Sequence, residues 1–437
     1  MKNHWRIGRL LTACAAAWAG LARAEGPIEV PLKYQAVSER SRDFYPRGML
    51  SPELAGTAPE GEWKMPEWKS KHPAFARVKL GDREHLLAFD VSASKSKMYD
   101  RLYFDANANR DLTDDPVISG EVEAGRGPAG VEFPPMDVTV ETAGRSLPYR
   151  MKPSIYAYSR GAGETSKAFP KMMIRFMLQT FCYYGGELEA GGTRYTLYLA
   201  DANANGVFGE VATPVRGGAR VHLSGDAFFL TTNKPSYYDG MSCGTHWFLG
   251  GQLYAVSLDP GLEKLTLAPA EGPLHPLALS ADPDRLMLFD AEGKQSVACF
   301  QPGRVLQLPA GTYQFASYRL LRRETNGALW QLMASATTGA PPAEVGADRK
   351  GELVFGEPFR PVVEIPEWSR AVKSGGRPVR MSFEIYGAGN ELVYDVSLVS
   401  GRSALAMGRR SVRPKEATYT IATPDGELVQ RGTFEYG

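Results

Sequence analysis

Apolar and polar positions alternate with a period of two through much of the chain. The clearest stretches are "ARVKLGDREHLLAFDVS", "MDVTVETAG", "TRYTLYLAD", "QLYAVSLD", "RVLQLPAGTYQFASYRL", "RPVRMSFEIYG" and "ATYTIATPDG". Period two places successive side chains on opposite faces, which is the pattern of half-buried strands. Gly81-Asp82, Gly375-Gly376 and Asp425-Gly426 supply turn residues that tolerate positive φ. Helical periodicity is almost absent. The one ambiguous stretch, "AFPKMMIRFMLQTFCYY" at 168 to 184, is dense enough in apolar residues to suit either a helix or two buried strands. The pattern predicts a mainly β protein of several modules.

A repeat organises the front half. "LYFDANANRDLTDDPV" at 102 to 117 recurs as "LYLADANANGVFGEVATPV" at 197 to 215, with the leading Asp residues 96 positions apart. Each copy runs apolar strand, D-A-N-A-N, short acidic tail, then Pro-Val. A spacing this long predicts two related β units rather than a solenoid, whose periods are about 20 to 50 residues. The expected organisation is a signal peptide at 1–24, an extended lead-in at 25–72, β modules at 73–150 and 151–272 carrying one loop each, and a C-terminal β-sandwich region of one or two modules at 273–437.

Composition narrows the setting. At 437 residues, 43% hydrophobic and 23% charged, the chain has the material for about two to four ordinary domains. Lys2, Arg6 and Arg9 precede an apolar run from Leu10 to Ala22, and Ala22-Arg23-Ala24 forms a small-x-small cleavage signal, so cleavage is expected after Ala24 and the mature chain is expected to be secreted or periplasmic. Leu11-Thr12-Ala13-Cys14 resembles a lipoprotein box, but Arg9 leaves too short an apolar core before Cys14 for lipid anchoring to be preferred. No later stretch approaches the roughly 20 apolar residues of a spanning helix. Loss of residues 1–24 removes four cations and no acid, lowering the formal charge from +1 by four to −3. Without a basic excess, no nucleic-acid partner is expected. Cys182, Cys243 and Cys299, three in number and far apart, allow at most one internal disulfide.

The repeated loop carries the candidate chemistry. Oxygen-bearing side chains on alternate residues of a tight bend can point inward together, and Ca²⁺ takes six to eight oxygens at roughly 2.3–2.6 Å. In the first copy those residues are Asp105, Asn107 and Asn109 with the carbonyl of Asp111. In the second they are Asp201, Asn203 and Asn205 with the carbonyl of Val207. Asp114 and Glu210 each lie nine residues after the leading Asp, with Asp115 a further acid in copy one, and could supply a bidentate carboxylate. Mg²⁺ demands compact octahedral geometry and suits such a loop less well. The competing reading is a pair of metal-free Asx-turns, in which short side chains bond their own backbone.

Both stretches resemble the D-x-[DN]-x-[DN]-G calcium loops of EF-hands and dockerins, over about a dozen residues per copy. An EF-hand has Glu at the twelfth place and flanking helices; here the twelfth places are Pro116 and Ala212 and strands lead in. The chain is thus similar to exported bacterial β-rich proteins with EF-hand-like loops set after strands. The sixth place, which favours Gly for a sharp turn, is Gly206 in copy two and Arg110 in copy one, where a left-handed backbone costs about 1 kcal/mol. "LPAGTYQF" is similar to the P-x-G-x-Y turn of small transthyretin-like and carboxypeptidase-regulatory sandwiches. The resemblance implies an exported calcium-binding β protein with a structural or scaffold role.

Other classes have less behind them. Five histidines remain after cleavage and none falls in an H-E-x-x-H pattern; the local pair Cys243 and His246 in "SCGTH" is the candidate for a secreted hydrolase, as nucleophile and base. Adjacent acids in one loop do not set up opposed faces around a sugar bond. Trp63, Trp68, Trp247, Trp330 and Trp368 could stack on a polysaccharide or a cell-surface protein, though such residues more often anchor cores.

Overall fold

The structure is a computed structural model, which describes residues 26–39, 45–93, 96, 98–123, 129–158, 173–217, 220–233, 235–236, 239–365, 381–400 and 413–434. The expected signal peptide, the lipoprotein-like Cys14, Gly375-Gly376 and Trp368 lie outside these residues. Every long regular element within them is a strand, and among the described residues no helix is long and apolar enough to cross a membrane.

The alternating stretches become strands where the pattern places them. Ala74–Leu80 and Arg83–Asp90 form a hairpin around Gly81-Asp82, Met136–Thr142 pairs with Arg145–Tyr158, and Thr193–Ala200 pairs with Cys182–Ala190. The ambiguous stretch resolves as strand: Met173–Thr180 pairs with Arg145–Tyr158, then the chain passes Phe181 and enters Cys182–Ala190. A single break at Phe181 lets one apolar run serve two sheets. Phe176 and Leu178 in the first strand, and Cys182 and Tyr184 in the second, face the core. Met177 and Tyr183 between them are apolar or aromatic residues left only half-buried, which is why the sequence lacks clean alternation although the burial alternates.

The segment 25–72 is more than a connector. Ile28–Pro31 pairs with Lys264–Pro269, Lys33–Ala36 with Cys182–Ala190, and Met49–Leu50 with Met173–Thr180. These strands are short and half exposed, so their side-chain pattern is weak although their backbone pairing is regular. A twelve-stranded sheet extends from Ile28–Pro31 to Arg360–Glu364, and its parallel junction joins His246–Leu249 to Ser296–Phe300. One continuous apolar core runs from Val30 to Phe355. Within it Phe228 stacks on Trp247 with ring centroids 4.2 Å apart. A smaller cluster, Phe75, Leu86, Ala88 and Leu112, lies on the outer face of the first hairpin under Trp63, Met65 and Trp68.

The "LPAGTYQF" turn is built as its residues suggest. Tyr313 is buried in the strand Gly311–Arg323, and its hydroxyl donates back to the Pro309 carbonyl at 3.2 Å.

Candidate functional site

Each D-A-N-A-N loop leaves the end of a strand and folds back through the same hydrogen bonds. In copy one the backbone N–H of Asn109 donates to Asp105 Oδ1 and to Asn107 Oδ1, both at 3.0 Å; Arg110 N–H donates to Asp105 Oδ2 at 3.2 Å; Asp111 N–H donates to Asn109 Oδ1 at 2.8 Å. Copy two repeats these contacts with Asn205 N–H on Asp201 Oδ1 and Asn203 Oδ1, Gly206 N–H on Asp201 Oδ2, and Val207 N–H on Asn205 Oδ1. The fourth and sixth residues are left-handed in both: Ala108 and Arg110 at φ 56° and 68°, Ala204 and Gly206 at 55° and 80°. The eighth residue, Leu112 or Phe208, is buried and anchors the bend. The leading Asp105 and Asp201 are completely buried. Their desolvation is offset by the backbone N–H groups they accept.

The copies differ in how their acids are used. Glu210 Oε2 accepts the side-chain amides of both Asn203 and Asn205, at 2.8 and 2.7 Å, so three of the expected ligand side chains share one focus. In copy one only Asn109 reaches an acid, Asp114, at 2.7 Å. Asp111 is drawn outward to Lys64 at 2.6 Å, and Asp115 accepts the Ala106 N–H at 3.1 Å. Copy one is therefore the more open and copy two the more enclosed.

Copy two also recruits residues that its local sequence does not announce. The Tyr149 hydroxyl donates to Asp201 Oδ2 at 2.8 Å, the Thr180 hydroxyl donates to the Asp201 carbonyl at 2.9 Å, and Asp226 accepts the N–H groups of Ala202 and Glu210 at 2.9 and 3.0 Å. Burial pushes Asp226 up to about 8, helped by the neighbouring charge of Asp201. Burial likewise raises Asp201 to about 6, against hydrogen bonds from Tyr149, Gly206, Asn205 and Ala204 that pull it down. Crowded carboxylates that resist ionisation are the electrostatic condition under which a cation is most stabilising. Tyr149, Thr180 and Asp226 lie 21 to 52 residues from Asp201 or Ala202, and no local spacing signals them.

Gly48 shows how tightly the loop is enclosed. A Cβ there would lie 1.7 Å from the Asp201 carbonyl oxygen. The neighbouring Met49 N–H donates to the Ala202 carbonyl at 3.0 Å, while Gly81 N–H donates to Asn205 O at 2.7 Å. The loop thus ties together the lead-in, the first hairpin and its own module.

Among the described residues, no three His, Cys, Asp or Glu side chains gather closely enough to hold a metal by themselves. A calcium ion here would also draw on Asn and main-chain oxygens.

The Cys243 and His246 pair does not assemble as a nucleophile and base. Cys243 is buried, its thiol is pushed well up by burial and by the charges of Asp226 and Glu210, and His246 Nδ1 lies 3.0 Å from the Thr245 hydroxyl. A thiolate nucleophile requires the opposite environment. Of the tryptophans, Trp247 is core, and Trp63 and Trp68 pack onto the satellite cluster.

No family model, curated protein or solved structure matches the chain. The fold and loops define it as a mainly β protein with a duplicated oxygen-rich bend.

Proposed function

We propose that the chain is an exported calcium-binding β protein with a structural or binding role, in which Ca²⁺ orders the bends at 105–115 and 201–210. The observation that carries this reading is the meeting of Asn203, Asn205 and Glu210 at one point beside the buried Asp201. The donor set suits the ion: a carboxamide turned over presents oxygen in place of nitrogen, and hard oxygens suit Ca²⁺. The residues that would hold it are Asp201, Asn203, Asn205, the Val207 carbonyl and Glu210. In copy one they are Asp105, Asn107, Asn109, the Asp111 carbonyl, Asp114 and Asp115. The duplicated hydrogen-bond pattern and left-handed positions support one origin and one purpose for both bends.

The ion's contribution is modest. Extracellular modules bind calcium with dissociation constants of about 10⁻⁴–10⁻³ M, which at about 1 mM Ca²⁺ gives roughly 0.4–1.4 kcal/mol per site. That orders a bend and tightens the strands it joins without being required for folding. A polysaccharide or cell-surface protein is the partner class this scaffold would present itself to.

Calorimetric titration of the mature chain tests the proposal. Binding in that range, lost stepwise with Asn205→Ala and Asn109→Ala, supports it. Absence of calcium heat together with a melting curve indifferent to chelator refutes it.

A further inference from the structure

The strand Ala74–Leu80 is the edge of a four-stranded sheet, bonded on one side to Arg83–Asp90. On its other side Phe75 exchanges two backbone hydrogen bonds with Ala55, each 2.8 Å long. Antiparallel pairing alternates along a strand, so if the main-chain groups of Phe75 face outward, those of Arg77 and Lys79 do as well, while Ala76 and Val78 bond inward. The bridge is antiparallel, so the residues that would lie opposite Arg77 and Lys79 are those preceding Ala55, and they make no main-chain bond to the strand. Among the described residues no main-chain partner takes up the outward groups of Arg77 or Lys79.

A cleft of about 1180 Å³ follows this open edge. Ala76 and Val78, from one face of the strand, and Arg77 and Lys79, from the other, all line it. A space resting over a single face would not touch both sets. Its far wall includes Leu54 from the lead-in and Asn205 and Glu210 from the second bend. The volume slightly exceeds the roughly 300–1,000 Å³ of small-molecule pockets, and the lining along the unpaired edge leaves the outward main-chain groups of Arg77 and Lys79 accessible to an added strand.

The charges select the occupant. Glu53, Glu60, Asp82 and Glu210 line the cleft against Arg77 and Lys79, and Arg77 leans toward Glu84, 3.6 Å away. A second copy pairing through the same edge would oppose cation to cation, which strands avoid. We propose that the cleft binds an extended basic peptide segment, which adds to the Ala74–Leu80 edge as a further β-strand. Main-chain bonds to Arg77 and Lys79 hold the peptide, and alternate side chains face the apolar wall and the acids.

The proposal does not rest on calcium, so the test is run in chelator. A fluorescein-labelled, end-blocked hexapeptide of alternating Lys and Val is titrated with the mature chain and followed by anisotropy. Saturable binding that weakens with salt is expected, and the same peptide N-methylated at every residue, equal in charge but unable to pair, should bind at least about tenfold more weakly. Lys79→Pro removes one outward N–H at a position where an edge strand tolerates proline, and should weaken the unmethylated probe similarly. Equal binding of the two peptides, or no saturable binding to the folded wild-type chain, overturns the proposal. The methylated probe tests the unaltered protein even if the proline variant fails to fold.

Discussion

The carboxylate of Asp226 accepts the backbone N–H of Ala202 at 2.9 Å across 24 residues of chain. Asp115 does the same for Ala106 at 3.1 Å across only nine. In both bends, then, a second acid pins the residue that follows the leading Asp, although the two acids come from unrelated places in the sequence. Asp226 holds the end of its bend as well, through Glu210 N–H at 3.0 Å, so copy two is clamped at both ends.

The clamp makes the leading acids unequal. Asp201→Ala would strip a partner from the Tyr149 hydroxyl and from the N–H groups of Asn205 and Gly206; buried donors left so cost about 2–4 kcal/mol in sum. Asp105→Ala takes a partner from the N–H groups of Asn109 and Arg110, of which Asn109 keeps its bond to Asn107 Oδ1, and no buried hydroxyl is stranded, at about 1–2 kcal/mol. Urea unfolding of the two variants in chelator measures the difference. Equal losses would mean that the Tyr149 contact contributes nothing.

Stability without calcium should depend on pH in a definite direction. Asp226 and Asp201 are raised to about 8 and about 6 from an ordinary 3.8, so between those limits the folded state binds more protons than the unfolded one. In chelator, the contribution of these two groups is then greatest at and below about pH 4, and declines toward pH 8 by at most about 1.4 kcal/mol per pH unit for each proton involved. Calcium should make the decline shallower without reversing it, because the ion requires ionised ligand acids and its affinity falls as pH drops below about 6, yet it contributes only about 1 kcal/mol per site. Urea midpoints from pH 5 to 8, with and without calcium, read both effects; a chelated midpoint rising across that range contradicts them.

The sixth positions of the bends predict substitutions of opposite sign. Gly206 has φ 80°, and a Cβ there would lie 2.9 Å from a Val140 methyl, so Gly206→Ala should destabilise by about 1–3 kcal/mol. Arg110 occupies the same conformation with a side chain, at φ 68°. Arg110→Gly relieves about 1 kcal/mol of backbone strain and gives up roughly half of that through the Trp63 ring, whose centroid lies 5.7 Å from the guanidinium carbon. A thermal scan should place it slightly above wild type.

The thiols should be inert in the native protein. Cys182, Cys243 and Cys299 are buried, and burial lifts the Cys182 thiol up to about 12. A chromogenic disulfide reagent at pH 8 should find these three only after unfolding, since the thiolate is the reactive form. Rapid native modification of Cys243 would reopen the hydrolase reading.

Much of this protein is local and therefore legible in one dimension. Alternation marks Thr193–Ala200 because one face packs and the other does not, and Gly81-Asp82 marks a hairpin because a two-residue reversal needs positive φ. The duplicated bend can be read the same way, since each Asx contact spans five residues or fewer. Ile28–Pro31 and Met49–Leu50 leave almost no such mark, because backbone pairing with distant strands, rather than side-chain period, makes them strands. The same holds for the functional surroundings. Tyr149, Thr180 and Asp226 reach the second bend only when three segments close around it, and the open edge at Arg77 and Lys79 exists only because the lead-in pairs with the strand at Ala55 alone. Sequence by itself determined the strands with a buried face and the inward-turned oxygens, which depend on near neighbours. Tertiary structure alone decided which bend is enclosed and where an edge is left free, because both depend on desolvation and backbone pairing between residues far apart in the chain.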